Sequence, residues 1–497
     1  MVNSKLSIAK YRHLVFFIAS AIVLLFASRC SFFYPMCDNA DANCFLNSAK
    51  YMMQGKILYN DFFEQKGPVI YFLHMVALTI IPDSFHGIYL IEVLCAVLYC
   101  HFVYKSISLF SPFSETKNVI ITTIACVSSY VTGYMEHGDE IEEFCLPIFA
   151  FLIYHVLKYI LDHEQISKLA IFICGIFAGL IFWSKYTILA PYCAIALYCI
   201  GYSIKHKDFK NLKNVFLYSV MGFLLVTALM AVYFIATDSF SNMIDVYFIE
   251  NIVGYRNARL LSENKLVAII LFFMRNIEYM HFGLLYTIMF GCMFFCEASR
   301  KFDDKPKKVF VFLTYSYFAT WFATALCGGG WNYYYMHHSV YFGLIATLFL
   351  YWCQTKGFKH AFVVIETASI IAGTIFLMFE MNLKQYNVDQ KTYKDIAKIV
   401  DNKSVLVMNF LDTGFYFATN NLPDRYYFTV TNARQIIAYQ SMCSSIRSSS
   451  TDYIIVRSDS FSDALFDQFD QYGYRLCYTG ETEGIILYLY ELIPNYK

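Results

Sequence analysis

Long apolar runs separated by short polar loops dominate the chain. A helix that crosses a bilayer needs about 20 consecutive apolar residues, and about eleven runs approach that length. These predicted spans lie near residues 13–33, 86–104, 118–134, 144–161, 168–184, 187–204, 215–237, 281–297, 309–327, 339–354 and 361–380. The pattern therefore predicts a polytopic α-helical membrane protein.

Two further apolar stretches, 67–82 and 266–278, are shorter, and Arg275 interrupts the second. Cytoplasmic loops usually carry an excess of lysine and arginine. If neither stretch crosses, the N-terminus and the lysine-rich loops 205–213 and 300–308 are all cytoplasmic. If both cross, the densest lysine loop faces outward. We therefore expect both stretches to lie in or dip into the outer interface, as amphipathic segments do.

The segment after the last predicted span is polar and has a mixed α/β pattern. The alternation of apolar and polar residues predicts strands at 405–410, 425–430, 453–457 and 485–491, and helices at 433–448 and 462–469. By parity, this segment lies outside the membrane. The predicted division is a transmembrane domain, 1–384, with outer loops at 34–85 and 135–143, and a small extracytoplasmic α/β domain, 385–497.

Composition supports this class. The chain is 58% hydrophobic and only 15% charged, whereas soluble domains carry roughly 25% charged residues. Lysine plus arginine equals aspartate plus glutamate, at 38 each, and the basic residues are scattered, so a nucleic-acid partner is not expected. The 16 cysteines lie mostly in apolar runs and resemble small buried hydrophobes. No glycine-rich nucleotide-binding motif is present.

The predicted outer loops hold a disproportionate share of the carboxylates. Crowded carboxylates beside a membrane repel one another and raise the free energy of the fold, so a purely structural chain has little reason to collect them. They mark a candidate site. The acids are Asp38, Asp41, Asp61 and Glu64 in the first loop, and Glu136, Asp139, Glu140, Glu142 and Glu143 in the second-loop sequence GYMEHGDEIEEFCLP.

Asp41 begins the sequence DANCFLNSAKYMMQG, in which apolar residues such as Phe45 and Ala49 follow helical spacing and Gly55 ends the segment. This spacing predicts an amphipathic helix lying along the membrane. Asp41 either caps that helix, a common role for aspartate, or belongs to the site. Asp38, three residues earlier, either shares the same face or solvates the loop.

Lys66 lies in YNDFFEQKGPVIYFLH, directly before Gly67 and Pro68. A lysine here either extends toward lipid headgroups in general or binds one specific phosphate, and the Gly-Pro turn would hold it firmly for the second role. Tyr59, in the same segment, is a candidate substrate contact.

The outer loops contain other candidate ligands for a phosphate or a substrate. Lys185 in FWSKYT is either a site cation or an interfacial anchor. Arg256 and Arg259 in GYRNARL either bind the donor phosphate or contact headgroups. His337 and His338 in CGGGWNYYYMHHS either bind substrate or are structural.

In this order, DANCF, YNDFFEQKGPVIYFLH, EIEEFCLP and a lysine at the outer end of a span resemble bacterial members of glycosyltransferase family 39. That family is related to protein O-mannosyltransferases and to the aminoarabinose transferases of lipid A. The resemblance is close through about residue 190 and looser in the C-terminal segment. It implies the C-type membrane glycosyltransferase fold.

The resemblance also implies roles for individual residues. Asp41 matches the family's proposed catalytic base, and Lys66 matches the lysine expected to contact the donor phosphate. Ala42 stands where the family usually has a second acid, so the role of that acid is not transferred. Glu142 or Glu143 takes the second-loop acidic position.

The implied reaction is inverting transfer of a sugar from a polyprenyl phosphate to an acceptor hydroxyl on the outer face of a bacterial plasma membrane. The acceptor is a glycan, a lipid or a protein, and membrane lipids surround the enzyme. No cofactor is expected; the acidic second loop leaves room for a divalent metal, although the related enzymes indicate none. The rival hypotheses are a transporter or flippase of a lipid-linked saccharide and a scaffold without activity. Transporters tend to have internal repeats and midplane charges, which the sequence lacks.

Overall fold

The computed structural model describes residues 8–254, 264–280, 283–327, 331–358, 360–431, 433–460 and 469–493. Helices dominate these residues. Those of twelve residues or more are Arg12–Ala27, Ala40–Met53, Pro68–Ile80, His86–Ser108, Glu115–Ser128, Ile141–Asp162, Lys168–Lys185, Leu189–Lys205, Phe209–Ala236, Lys265–Met280, Leu284–Phe295, Asp304–Cys327, Phe342–Thr355, Ala361–Met381, Leu383–Val400 and Gln435–Arg447. Each of the eleven predicted spans overlaps one of them.

Seven helical stretches in the described residues are long and apolar enough to cross a membrane, or eight if one bent pair counts as a span. The prediction of about eleven spans exceeds this number for two reasons. Lys168–Lys205 is one apolar stretch of 38 residues, interrupted by a 3-10 turn at Tyr186–Ile188. Glu115–Ser128 and Phe342–Thr355 have only 14 residues each, which is about 21 Å of helix.

The two short apolar stretches differ from the long helices. Pro68–Ile80 has 13 residues, about 20 Å of helix, which is too short for a hydrocarbon layer about 30 Å thick. Pro68 takes the first helical position, where its missing N–H costs nothing. Lys265–Met280 and Leu284–Phe295 are related by a bend of 117°, as in a broken span or a re-entrant loop.

The described residues form two compact units, each assembled from three segments. The first, called here the helical unit, draws on Met1–Phe33, Ile88–Met230 and Arg259–Glu380. The second, called the mixed unit, draws on Tyr34–Gly87, Ala231–Ala258 and Met381–Lys497. The sequence placed a boundary near residue 384; in the structure, the segment after that point shares one compact unit with the first loop.

In the helical unit, glycines allow two helices to approach closely. A β-carbon on Gly175 would lie 2.1 Å from the Ser219 carbonyl oxygen, and one on Gly222 would lie 2.1 Å from the Phe172 carbonyl oxygen. Small residues at such a crossing let helix backbones pack by van der Waals contact, as membrane helices commonly do. This packing fixes the helix Lys168–Lys185, which ends at a candidate site residue.

The mixed unit contains a four-stranded sheet. Its strands are β1 (Val405–Met408), β2 (Tyr453–Arg457), β3 (Tyr474–Thr482) and β4 (Ile485–Leu492). They lie in the order β1-β2-β4-β3, with β1 and β2 parallel and the other pairs antiparallel. The prediction of a small α/β domain is confirmed for three of its strands and for the helix Gln435–Arg447.

One predicted strand is wrong and one strand was missed. Residues 425–430 form no strand, because their backbone groups bond elsewhere: the Tyr426 carbonyl accepts a hydrogen bond from Phe63 N–H, and the Phe428 carbonyl accepts one from the Tyr416 hydroxyl. β3 was missed because its polar residues lie on an edge strand with little apolar alternation. Most of the predicted helix 462–469 lies outside the described residues.

Candidate active site

The helix that carries Asp41, Ala40–Met53, is called here the first-loop helix. Its N-cap is Asn39, whose side-chain oxygen accepts a hydrogen bond from the Ala42 N–H at 3.1 Å. Asp41 lies in the first turn instead, so the interpretation of Asp41 as an N-cap is wrong. The carboxylate at this position still gains from the positive end of the helix dipole.

The first-loop helix is not the amphipathic helix that the sequence predicted. Nine of its residues are buried, on all sides of the helix, because the C-terminal segment packs against it in the mixed unit. Gly414 shows how close the packing is, since a β-carbon there would lie 2.2 Å from a Met36 side-chain atom. Gly414 also has a φ of +124°, a backbone conformation that glycine adopts more easily than other residues.

The central feature of the mixed unit is an ion pair between Lys66 and Asp41. Lys66 Nζ lies 2.9 Å from Asp41 Oδ2, although the residues are 25 positions apart in sequence. The two side chains are only 12% and 22% exposed, and the Lys66 ammonium also lies 5.4 Å from the centre of the Phe45 ring. The general headgroup interpretation of Lys66 therefore does not hold, because the ammonium is bound to a specific partly buried carboxylate.

Side chains in the mixed unit hold the backbone around Lys66 in place. The buried Tyr59 donates its hydroxyl to the Lys66 carbonyl oxygen at 2.5 Å, and the Asn251 amide donates to the Gln65 carbonyl oxygen at 2.6 Å. Tyr59, a sequence candidate for substrate contact, thus acts on the Lys66 backbone in this structure. Such bonds limit where the Lys66 ammonium can reach.

Glu64 is a site residue that the sequence analysis did not single out from the other first-loop acids. It is buried, and its Oε2 accepts the Lys66 backbone N–H at 2.9 Å. Burial raises the pKa of Glu64, while the Lys66 charge and backbone hydrogen bonds lower it in part. Its position two residues before Lys66 could have indicated a role for Glu64 in the site, but sequence spacing does not show whether a side chain is buried.

Asp412 is a second acid that the sequence did not reveal. It is fully buried, and its Oδ2 accepts the Asn47 side-chain amide at 3.2 Å across 365 positions. Its Oδ1 accepts the N–H groups of Gly414 and Phe415. Burial raises the pKa of Asp412 to about 6, although these hydrogen bonds lower it in part. Since Asn47 belongs to the first-loop helix, Asp412 helps to fix the helix that carries Asp41.

Asp38 takes a different position from Asp41. Its carboxylate acts electrostatically on Tyr393 and Glu483 of the C-terminal segment.

The second predicted group of residues lies in the helical unit. Lys185 Nζ contacts Glu142 Oε1 at 2.6 Å, with the two side chains 8% and 1% exposed. The Lys185 ammonium also lies 4.4 Å and 3.8 Å from the ring centres of Tyr333 and Tyr334. The interpretation of Lys185 as an interfacial anchor is therefore wrong, because the whole side chain is buried between a carboxylate and two aromatic rings.

The other second-loop acid, Glu143, is also buried, and its charged neighbours are Glu92 and Asp139. Asp139 N–H donates to Glu92 Oε1 at 2.9 Å. Beside them, Gly138 has a φ of +92°, and a β-carbon there would meet the Ser28 side chain at 2.6 Å. In the structure, Glu142 is paired with the cation Lys185, whereas the charged neighbours of Glu143 are other acids. The sequence did not distinguish the two glutamates.

His337 and His338 are buried within the same unit. His337 Nε2 lies 2.7 Å from the Thr324 hydroxyl, and His338 Nδ1 lies 3.0 Å from the Tyr335 carbonyl oxygen. Each ring is thus held through one of its nitrogens. Arg256 and Arg259 lie outside the described residues. Within the described residues, no three His, Cys, Asp or Glu side chains converge as metal ligands would.

Comparison with known proteins gives two findings. Residues 65–244 match the family model described as dolichyl-phosphate-mannose-protein mannosyltransferase. The fold matches the crystal structure of ArnT from Cupriavidus metallidurans bound to undecaprenyl phosphate, with a TM-score of 0.62, 10% sequence identity, and coverage of 97% of this chain and 98% of that chain. No curated protein sequence matches the chain.

The two findings cover complementary aspects of the chain. The family match includes Lys66, Glu142 and Glu143, and the structural match extends over the C-terminal segment as well. Together they support the resemblance to glycosyltransferase family 39: residues 65–244 are similar to a mannosyltransferase family model, and the chain has the fold of ArnT.

Proposed function

We propose that the protein is an inverting glycosyltransferase that moves a sugar from a polyprenyl phosphate to an acceptor hydroxyl on the outer face of the membrane. The observation that carries the proposal is the contact of 2.9 Å between Lys66 Nζ and Asp41 Oδ2. It brings together an acid suited to take a proton and a cation suited to bind phosphate. The undecaprenyl phosphate bound to ArnT supports a donor of this class.

Asp41 is the proposed general base. An acceptor hydroxyl is a weak nucleophile, and a carboxylate within hydrogen-bond reach can remove its proton as the oxygen attacks the anomeric carbon. Lys66 Nζ lies beside this carboxylate. Asn39 rather than Asp41 caps the helix, so the Asp41 carboxylate is not committed to holding the helix end.

Lys66 is the proposed ligand of the donor phosphate. When the bond between the anomeric carbon and the phosphate oxygen breaks, the leaving polyprenyl phosphate gains negative charge, and a fixed cation stabilises that charge. Tyr59 and Asn251 hold the backbone on either side of this lysine. A fixed cation loses less conformational entropy on binding than a freely rotating lysine does.

The Glu142–Lys185 pair is the second proposed group. Both side chains are buried, and a charged pair in such surroundings costs free energy to desolvate, which a function would explain. We propose that Glu142 orients Lys185 within the helical unit and that Lys185 is a second candidate cation of the enzyme. No metal or cofactor is required for this scheme.

The test uses the purified protein in lipid nanodiscs, a panel of radiolabelled undecaprenyl-phosphate hexoses and pentoses, and a membrane extract as the source of acceptor. A transferase releases undecaprenyl phosphate in step with labelled product. A flippase moves the labelled lipid between leaflets without releasing the phosphate, and a scaffold does neither. Absence of release with every donor would overturn the proposal.

A further inference from the structure

A cavity of about 680 Å³ opens in the helical unit, away from the residues discussed above. It lies where the helices Ile141–Asp162 and Leu189–Lys205 end and the helix Asp304–Cys327 begins. None of its lining residues belongs to the Asp41–Lys66 or Glu142–Lys185 group. Its polar lining includes one acid, Asp304, together with Lys205, Lys307, Lys308, His163, His206, Tyr198, Tyr202 and Tyr315.

The position of the cavity corresponds to the depth of lipid headgroups. All three helices are parts of stretches long and apolar enough to cross a membrane, so their ends lie near the boundary between hydrocarbon and headgroups. Tyrosines and lysines are common at that boundary. A ligand of this cavity therefore meets the protein at the surface of the bilayer.

The charge of the cavity is positive. Asp304 pairs with Lys308 at 2.9 Å, and Asp162, close to the cavity, pairs with Lys305 at 2.9 Å. Within the described residues, Lys205 and Lys307 have no carboxylate within ion-pair distance. Because Asp304 and Asp162 are paired with other lysines, the exposed ammonium groups of Lys205 and Lys307 give the cavity its positive charge.

The walls combine a rigid aromatic side with an apolar side. The rings of Tyr202 and His206 stack with centres 4.0 Å apart, and the Tyr202 hydroxyl lies 3.4 Å from His163 Nδ1. On the apolar side, Leu197 and Val311 line the cavity and are each at least half exposed. A small soluble anion can contact only the polar, aromatic side, whereas a lipid can also place its acyl chains against the apolar side.

We propose that this cavity binds the phosphate-bearing headgroup of an anionic phospholipid. Lys205 and Lys307 contact the phosphate, and the acyl chains run along Leu197 and Val311. Basic pockets between transmembrane helices are known to suit such headgroups. A free phosphate or a soluble phosphate ester could bind the same lysines but has no acyl chain to contact Leu197 and Val311.

The test compares the wild type with Lys205→Gln/Lys307→Gln and with a matched control, Lys210→Gln/Lys301→Gln. The control removes two exposed lysines that do not line the cavity. Each protein is purified, titrated with phosphatidylglycerol in phosphatidylcholine nanodiscs, and assayed for retained lipid by native mass spectrometry and for thermal stability. Soluble glycerol phosphate and inorganic phosphate are tested in parallel.

We expect the wild type and the control to retain phosphatidylglycerol selectively, and their melting temperatures to rise with it. The double variant at the cavity should bind it about 30-fold more weakly, from about fivefold for each lysine near a charged lipid. Equal retention by all three proteins would overturn the site. Equal stabilisation by glycerol phosphate or inorganic phosphate would overturn the lipid in favour of a soluble anion. Neither result bears on the transferase test, which uses different residues.

Discussion

Asp41→Asn tests the assignment of the general base. The substitution is nearly isosteric, and the amide oxygen can still accept a hydrogen bond from Lys66 Nζ. Asn39 caps the first-loop helix, so the helix keeps its cap. The lost ion pair is partly buried, and we expect a cost of about 1–2 kcal/mol, between exposed and buried pairs. That cost is small beside a typical stability of about 5–15 kcal/mol.

The catalytic loss should be much larger than the structural one. Removal of a general base lowers turnover by roughly 10²- to 10⁴-fold, which corresponds to about 3–5.5 kcal/mol of activation free energy. Because the proposed ligand of the donor phosphate is Lys66 rather than Asp41, we expect kcat to fall while KM for the donor stays within a few-fold. This division separates a lost base from a misfolded or poorly binding enzyme.

The assay is release of undecaprenyl phosphate by purified protein, with Asp61→Asn as the matched control. Asp61 is an exposed acid of the same loop, and its Oδ2 accepts a local hydrogen bond from Ile57 N–H. The control should retain near-normal turnover and the same melting temperature. If Asp41→Asn also retains turnover within a few-fold of the wild type, the reasoning is wrong, and Asp38 and the second-loop acids become the next candidates.

Four further predictions follow from the same geometry. Lys66→Met should weaken donor binding or turnover about 10- to 100-fold, from about 1.5–3 kcal/mol for a charge-assisted contact, and Lys66→Arg should restore it only in part; unchanged donor kinetics would remove Lys66 from the site. Glu142→Gln should lower the melting temperature, because it leaves the buried Lys185 ammonium unpaired at a cost in stability of about 3–5 kcal/mol. The double variant Glu142→Gln/Lys185→Met should recover part of that stability; no recovery would contradict the pairing. The pKa of the Asp412 carboxyl is raised from 3.8 to about 6 in the folded protein, so protonation of this group stabilises the fold. The stabilisation is complete below about pH 4 and is lost as the pH rises through about 6. The loss in free energy of unfolding is up to roughly 3 kcal/mol. Melting curves should show that loss in the wild type and not in Asp412→Asn; parallel curves would refute it. Finally, a cysteine at the exposed position Lys210, in a variant whose exposed native cysteines are serine, should react with an impermeant maleimide only after the cells are permeabilised; labelling of intact cells would reverse the predicted topology.

Local pattern was enough to locate most of the secondary structure. The apolar runs predicted a helix for each of eleven spans, and the termini of Tyr453–Arg457 agree with the predicted strand. These features depend on the spacing of apolar residues along one segment. By contrast, residues 425–430 have a strand-like sequence but form no strand, because their backbone partners lie at distant positions such as Phe63.

The sequence also identified chemical candidates without their partners. The first-loop motif and its family resemblance selected Asp41 and Lys66, and the structure brings these two together. Lys185 and Glu142 were both candidates, but their contact across 43 positions was not predicted. Residue type and local sequence indicate what a side chain can do, whereas its partner depends on how separate segments pack.

The sequence by itself determined that this chain is a polytopic membrane protein with its candidate acids and cations in specific loops. Only the tertiary structure decided that the first-loop helix is buried, that Asn39 caps it, and that Asp412 contacts it through Asn47 across 365 positions. The physical reason is that periodicity reports the environment of one segment averaged over its length. Burial, ion pairing and hydrogen bonding between remote segments depend on contacts that no local pattern contains.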